Sequence, residues 1–423
     1  MTETILLEQF VDPCGAHVLL DTTPDGQTVA RFDLSAMPRL EPMLIGREAA
    51  GVPELVKRLC GICPIPHHLA GVMALEGAVG RTPPPLAMEV RRLVAHTATM
   101  TTLAPRFFQR YPQDTRTARM IAKQAATWGG CPGHFPNVAA PGGLVRAPEH
   151  PWEELGQLSR EAADAAARWD AIAEELRDQG DVLDAGTRPE GFADVWLVDS
   201  AGEPDPLGGV LAVRTGHPTA TEAVTSLPAH TWPEVITETH PGAAAPRMTI
   251  TVDGHDHPYR TGPLARHTGH TPRAAHAASI AASLRGIQRS ATTLTGMLQP
   301  LGTAARHALL DSAVAPALET DELAACRGTG VGVVDSPRGL LAHVYQVDKA
   351  RLTSCAIHTP TAQNEWWLSH LLTQALGHGG DMRTLEDAIR AADPCVPATD
   401  APPGAMPIST TPAPAGPPHM QTR

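Results

Sequence analysis

Arg58-Leu59-Cys60-Gly61-Ile62-Cys63-Pro64-Ile65-Pro66-His67 is the stretch on which the reading of this chain turns, and Asp393-Pro394-Cys395 answers it near the other end. Taken alone, two cysteines three positions apart are ambiguous, because the same spacing serves zinc knuckles and thioredoxin-like redox pairs. A structural zinc site wants four ligands, usually from a second C-x-x-C or paired histidines, and the chain has no second C-x-x-C. A thioredoxin-type pair follows a strand and opens a helix, whereas Gly51 to Leu59 reads as helix or loop. The isolated pair stays open between a buried structural feature and a ligand set.

Composition narrows the field. The 423 residues exceed the usual single-domain size without requiring two domains, so a sizeable core is available. Aromatic residues make up only 4% while alanine is abundant, which favours closely packed helices, and 41 prolines predict many rigid connections. A net charge of −12 argues against nucleic-acid binding, which needs a basic face to displace counterions. The start, Met1-Thr2-Glu3-Thr4-Ile5, lacks a basic region followed by an apolar one, and no stretch is apolar for the about 18 residues that a spanning helix needs. A soluble, cytoplasmic protein with no membrane partner is expected. Seven cysteines, odd in number and widely spread, are not a disulfide framework.

Periodicity places the elements. Residues His17 to Asp33 read as a hairpin around Pro24-Asp25-Gly26. Leu86, Val90, Leu93, Val94 and Met100 fall on one helical face after Pro83-Pro84-Pro85. A second stripe opens at Pro151 and runs through Trp152, Leu155, Ala162, Ala166, Trp169, Ile172 and Leu176 to end before Gly180. A third carries Ile280, Leu284, Ile287, Ala291, Leu294 and Leu298 and stops at Pro300. These three predict a central bundle. Residues Asp181 to Pro272, with Val195 to Val198 and Met248 to Val252 as strand-like runs, read as an α+β insertion. Trp366, Trp367, Leu371, Leu372 and Ala375 predict a further helix, and Thr384 with Asp387 a capping-box-like start for one leading to Cys395. Residues 1–400 are expected to form one unit, and 401–423, rich in proline, a disordered tail.

The two cysteine stretches together resemble the motifs R-x-C-G-x-C-x-x-x-H and D-P-C-x-x-C-x-x-H of the nickel-iron hydrogenase large subunit. Further segments match in order. Glu41 to Arg47 resembles E-x-x-x-x-G-R, and Gly129 to Pro136 followed by Pro141-Gly142-Gly143 resembles a histidine-proline loop and its G-G turn. Gly262-Pro263-Leu264-Ala265-Arg266 is similar to G-P-L-A-R, Gly330 to His343 to G-x-G-x-x-E-A-P-R-G-x-L-x-H, and Pro360 to Asn364 to P-T-x-x-N. The resemblance covers about Val11 to Cys395 and implies a helix-rich α+β fold of the large-subunit type, with a central helical bundle and peripheral short sheets.

It also implies a ligand set. Cys60 and Cys395 stand where the family has terminal nickel ligands, and Cys63 where it has one bridging thiolate. Arg338 corresponds to an arginine over the metals, suited to orient cyanide ligands, and His67 to a histidine that can tune a cysteine sulfur. The pattern is incomplete: Ala398 replaces the fourth thiolate and Ala401 the terminal histidine that marks maturation cleavage, so the tail is expected to be retained. Val11-Asp12-Pro13-Cys14-Gly15-Ala16-His17 is shortened and lacks the relay glutamate. His68 reads as a structural histidine, and His255, His257, His267 and His270 as a solvated loop. Cys131, Cys326 and Cys355 read as small buried residues.

Hydrogen chemistry needs a complete metal pair, a base and a proton exit. With the fourth thiolate and the glutamate missing, no catalytic residue is expected, and the chain resembles non-catalytic assembly proteins of the HupK/HoxV type. That resemblance implies a maturation scaffold. It would transiently hold iron with carbonyl and cyanide ligands, without nickel, and work with maturation chaperones and the hydrogenase large subunit. Two alternatives are a catalytic large subunit with unusual ligation, using Asp400 or water, and a metal-free docking subunit.

Overall fold

The computed structural model describes residues 17–22, 28–34, 40–58, 61–177, 184–216, 222–240, 245–318, 320–377, 382–396, 399, 404 and 406. The chain opens with the expected hairpin, β1 (His17–Thr22) against β2 (Thr28–Asp33); its turn lies outside the described residues. Short helices α1 (Glu41–Leu44) and α2 (Val52–Val56) lead to α3 (Pro64–Val79). The helices α4 (Pro85–Leu103), α5 (Pro112–Trp128) and, after the two-residue strands β3 (Ala139–Ala140) and β4 (Gly143–Leu144), α6 (Glu153–Arg177) follow. No helix among the described residues is long and apolar enough to cross a membrane.

The six strands of the insertion are β5 (Ala193–Val198), β6 (Val210–Gly216), β7 (Glu222–Pro228), β8 (Ile236–Glu238), β9 (Met248–Val252) and β10 (His255–Thr261), with α7 (Trp232–Val235) before β8. They form one sheet in the order β7-β6-β5-β10-β9-β8, in which β10 runs parallel to β5 and the other pairings are antiparallel. Asp194 on β5, fully buried, takes Arg260 at 2.5 Å and Arg214 at 3.3 Å. A buried carboxylate survives only with such partners.

After α8 (Pro263–Arg266), the long α9 (Pro272–Leu298) completes the bundle. Leu86, Val90, Leu93 and Val94 of α4, Leu155, Trp169 and Ile172 of α6, and Ile280, Leu284 and Ile287 of α9 share one core. A Cβ on Gly286 would stand 2.1 Å from the His96 ring, so that glycine seats the imidazole between α4 and α9. The remaining elements are α10 (Thr303–Ser312), α11 (Thr320–Ala325), the antiparallel sheet β11 (Arg327–Ser336), β12 (Gly339–Asp348) and β13 (Arg351–His358), then α12 (Pro360–Gln363), α13 (Glu365–Gly377) and α14 (Met382–Ala392). Thr384 is not the cap expected of it: α14 begins two residues earlier. At the start of the expected tail, Gly404 N–H donates to Glu386 at 2.8 Å and the backbone of the buried Met406 bonds to the same carboxylate, so these two residues are tied to α14.

One contact positions everything near the cysteines. Gly328, Gly330 and Gly332 face α3 from alternate positions of β11, and a Cβ on each would fall 1.9 to 2.0 Å from the carbonyl oxygens of Ala78, Ala74 and Ala70 in turn. Two residues of strand advance about 6.8 Å and four of helix about 6 Å, so the repeats stay in step over three contacts. The order of the pairs makes α3 and β11 antiparallel. The first turn of α3 and the β11–β12 turn therefore lie at the same end.

Gly330→Ala is expected to cost more than about 3 kcal/mol, because backbone on both sides must move apart. Gly296, exposed in α9 with open space around its Cβ position, gives the opposite sign. Gly296→Ala should gain about 0.5–1 kcal/mol. Urea denaturation of both variants checks the pair.

Candidate metal centre

Pro64 opens α3 because its fixed φ and missing N–H suit the first helical position. That makes Cys63 the N-cap, half-buried, with its carbonyl accepting from His67 N–H at 3.4 Å. Leu59 and Cys60 lie outside the described residues. Arg58 of the same motif is exposed and stacks its guanidinium 5.6 Å from the Phe135 ring. Its neighbour Lys57 is buried and donates to Pro136 O at 2.8 Å, which docks the 129–136 loop beside the motif.

The second motif is set by a backbone device. Asp393 closes α14 in the left-handed region, at φ 47°, with its N–H bonded to Ile389 O. Aspartate tolerates this conformation better than most residues. The chain turns so that Cys395 N–H donates to Thr361 Oγ1 at 2.8 Å. Thr361 belongs to a clamp: Asn364 exchanges two hydrogen bonds with the backbone of Thr261, and Gln363 donates to the carbonyls of Leu340 and His358. Gly262 fits beneath the β11–β12 turn, where a Cβ would meet Arg338 O at 2.5 Å. The G-P-L-A-R, P-R-G and P-T-x-x-N segments thus hold one another and carry Cys395.

Arg338 occupies that turn, 4% exposed, with Nε 3.4 Å from Asp393 Oδ1. Arg106 donates to the same oxygen at 2.8 Å, and His276 Nε2 stands 3.9 Å from Oδ2. Burial alone would raise the Asp393 pKa, but Arg338 and Arg106 outweigh it and hold the carboxyl below the ordinary aspartate range. Burial pushes His276 down to about 3, with Arg106 adding to the effect, so the ring stays neutral between two guanidinium groups. On the α3 side, His67 Nδ1 lies 3.1 Å from His343 Nε2, and His343 Nδ1 lies 2.7 Å from the Tyr345 hydroxyl.

From the Ala70–Gly332 contact to Cys63 is seven helical residues, about 10 Å. From Gly332 to the β11–β12 turn is four strand residues, about 13 Å. Cys63 and His67 are thereby brought to the end of the seam where Arg338, Asp393 and Cys395 sit. Among the described residues no group of three His, Cys, Asp or Glu side chains could hold a metal ion, and Cys60 is not among them. The described donors at this end are two half-buried thiols, Cys63 and Cys395, a kind of ligand that suits soft metal ions once deprotonated.

The other thiols are different. Burial raises Cys131 to about 11 and Cys355 to about 12, which keeps both protonated and unsuited to metals. Cys326 donates to Ala78 O. His68 is buried and its Nε2 accepts from Ala139 N–H, a structural role. The histidine-rich stretch is not a solvated loop. His255 and His257 lie on β10, while His267 and His270 are half-buried with ring centroids 5.8 Å apart. Glu41 to Arg47 is a clasp: Gly46 N–H bonds to Leu352 O and Leu352 N–H to Arg47 O, fastening the segment to β13. Sequence reading missed Arg106, His276 and Tyr345, none of which carries a local spacing signal.

The architecture is that of nickel-iron hydrogenase large subunits. The chain superposes on the crystal structure of an NAD+-reducing nickel-iron hydrogenase with a TM-score of 0.71 at 22% identity, covering 91% of this chain and 96% of that one. For the Ni-Fe-Se hydrogenase of D. vulgaris Hildenborough in the reduced state the values are 0.58 and 18%, with 91% and 97% covered. In sequence, residues 39–112 match the nickel-dependent hydrogenase family. In the F420-non-reducing hydrogenase vhu of Methanocaldococcus jannaschii, one chain is 39% identical over 64 residues, 15% of each of the two. The NAD-reducing hydrogenase HoxS subunit beta of Cupriavidus necator is 34% identical over 109 residues, 22% of each. The chain is thus similar in sequence to nickel-dependent hydrogenases over residues 39–112 and shares the fold of the solved hydrogenase structure over nearly all its length, while the alignments span only 15% and 22% of the curated relatives.

Replacing Asp393 by Asn would remove the buried carboxylate that Arg338 and the half-buried Arg106 share, and should cost about 3–5 kcal/mol in urea denaturation. Acid sensitivity follows from histidines held neutral. Burial lowers His68 to about 3 and His96 to about 4 from 6.5, so the unfolded chain takes up protons that the folded one refuses. Their stabilising effect is complete above about pH 6.5 and lost as pH falls towards 4, each contributing a slope of up to about 1.4 kcal/mol per pH unit. Urea midpoints should hold from pH 7.5 to 7 and then fall; a flat profile down to pH 5 would contradict this.

Proposed function

We propose that this protein is a maturation scaffold that receives iron bearing carbonyl and cyanide ligands and passes it to a nickel-iron hydrogenase large subunit. One observation carries the reading. The chain keeps Cys60, Cys63 and Cys395 and has Ala398 where a fourth thiolate would close the site. A carrier must hold its cargo and also release it, and loss of one bridging thiolate serves that compromise. Iron with carbonyl and cyanide ligands already has most positions filled, so few protein donors are needed. Cys60, Cys63 and Cys395 would be those donors, deprotonated on binding.

Arg338 would donate hydrogen bonds to a cyanide nitrogen, a role suited to a guanidinium fixed by Asp393. His67 would donate to a thiolate and temper its basicity. Nickel is not retained in this reading, and the protein is not itself an enzyme. It is of the HupK/HoxV kind, cytoplasmic, and works with maturation chaperones and the large subunit that it serves. The whole-chain likeness to catalytic hydrogenases favours one other reading, a large subunit with unusual ligation.

The purified protein should give no hydrogen-dependent dye reduction. In producing cells, Cys63→Ser or Cys395→Ser should lower the yield of active hydrogenase at least about tenfold, the scale set by losing a metal ligand or its support. Cys355→Ser, which alters a thiol held protonated near about 12, should leave the yield unchanged. Dye reduction would favour the catalytic reading, and undiminished yield in both ligand variants would remove the scaffold's chemical basis.

A further inference from the structure

Tyr345, His343 and His67 form one buried chain from the middle of β12 to the first turn of α3. Their exposures are 1%, 0% and 5%, and the successive separations are 2.7 Å and 3.1 Å. Burial lowers the His343 pKa well below 6.5, so this ring is neutral and carries one N–H and one acceptor nitrogen. Two directions are open. If His67 donated from Nδ1, His343 would donate in turn from its own Nδ1 to the phenol oxygen. The phenol hydrogen would then need an acceptor of its own. Among the described residues the Tyr345 hydroxyl has no other hydrogen-bond partner, and it lies against the Gly71 side of α3, 3.2 Å from where a Cβ would stand. In the opposite direction the phenol hydrogen goes to His343 Nδ1 and the His343 Nε2 hydrogen to His67 Nδ1, and the hydrogen left over sits on His67 Nε2, which is not among the buried polar atoms that lack a partner.

We infer that Tyr345 is a positioning residue whose phenol donates to His343 and so fixes both His343 and His67 as tautomers protonated on Nε2. His67 then offers an N–H, and not a lone pair, from its remaining nitrogen, one helical turn from Cys63. A ring in that state cannot ligate a metal through Nε2. It can donate to an anion, such as a metal-bound thiolate. Only the identity of that acceptor rests on Cys63 being a ligand; the tautomers belong to the metal-free protein.

The test is nitrogen-15 NMR of the full-length, metal-free protein labelled on histidine, with ring signals assigned from His67→Gln and His343→Gln. Both Nδ1 atoms should appear as unprotonated nitrogens and both Nε2 atoms as protonated ones. Tyr345→Phe should leave His343 with mixed tautomers. A proton on either Nδ1 in the wild-type protein would overturn the inference, as would a Tyr345→Phe spectrum identical to wild type; should that variant not fold, the wild-type spectrum decides. Cobalt(II), whose thiolate charge-transfer absorption reports cysteine ligation, supplies a second readout. Tyr345→Phe should weaken cobalt binding about tenfold. The expected tautomers with no cobalt–thiolate band in wild type would support the relay while counting against Cys63 as a ligand.

Discussion

Backbone meets backbone where β11 crosses α3, and the rest of the site depends on it. Three alternate glycines put nothing between the strand and the helix carbonyls, so the two elements approach more closely than any side chain permits. A seam of this kind has no slack. Shifting the strand by one residue would turn Val331 and Val333 towards the helix in place of glycine, so the register is fixed by exclusion. The strand continues into the turn that carries Arg338, and the helix begins at Cys63. The seam converts two points more than 270 positions apart in sequence into neighbours at one end of a rigid unit.

Charge completes what packing begins. Asp393 is surrounded by Arg338, Arg106 and His276, drawn from the β11–β12 turn, the 3-10 turn that follows α4 and the start of α9. A buried carboxylate with that company locks the second cysteine motif to three separate elements, and the left-handed backbone at Asp393 lets Cys395 reach Thr361.

Much of the scaffold was legible in the sequence, because α6 and α13 bury one face each, and α4 and α9, buried on more sides, still keep a 3.6-residue repeat of large apolar residues. The strands β5 and β9 announced themselves by runs of β-branched and apolar residues. The sheet β11-β12-β13 was not read from the local pattern, and the family resemblance implied only peripheral short sheets. Glycine in β11 answers a tertiary demand that runs against local strand propensity, so Arg327 to Gly332 carries no strand signal of its own. The start of α14 was misplaced because Thr384 imitates a cap from inside the helix. Within the site, Cys63, Cys395, Arg338 and His67 stood out by motif. Arg106, His276 and Tyr345 sit in ordinary helical or strand contexts, and only folding shows what they face.

The decisive property of this large-subunit fold, with alanine at one thiolate position, is whether it holds iron without nickel. Infrared spectroscopy with metal analysis, on protein purified without oxygen from cells expressing hydrogenase assembly machinery, asks this directly. Carbonyl and cyanide bands with iron and no nickel, lost when Cys63 or Cys395 is replaced, are the predicted result. Bands accompanied by stoichiometric nickel, or no bands and no metal at all, would contradict it.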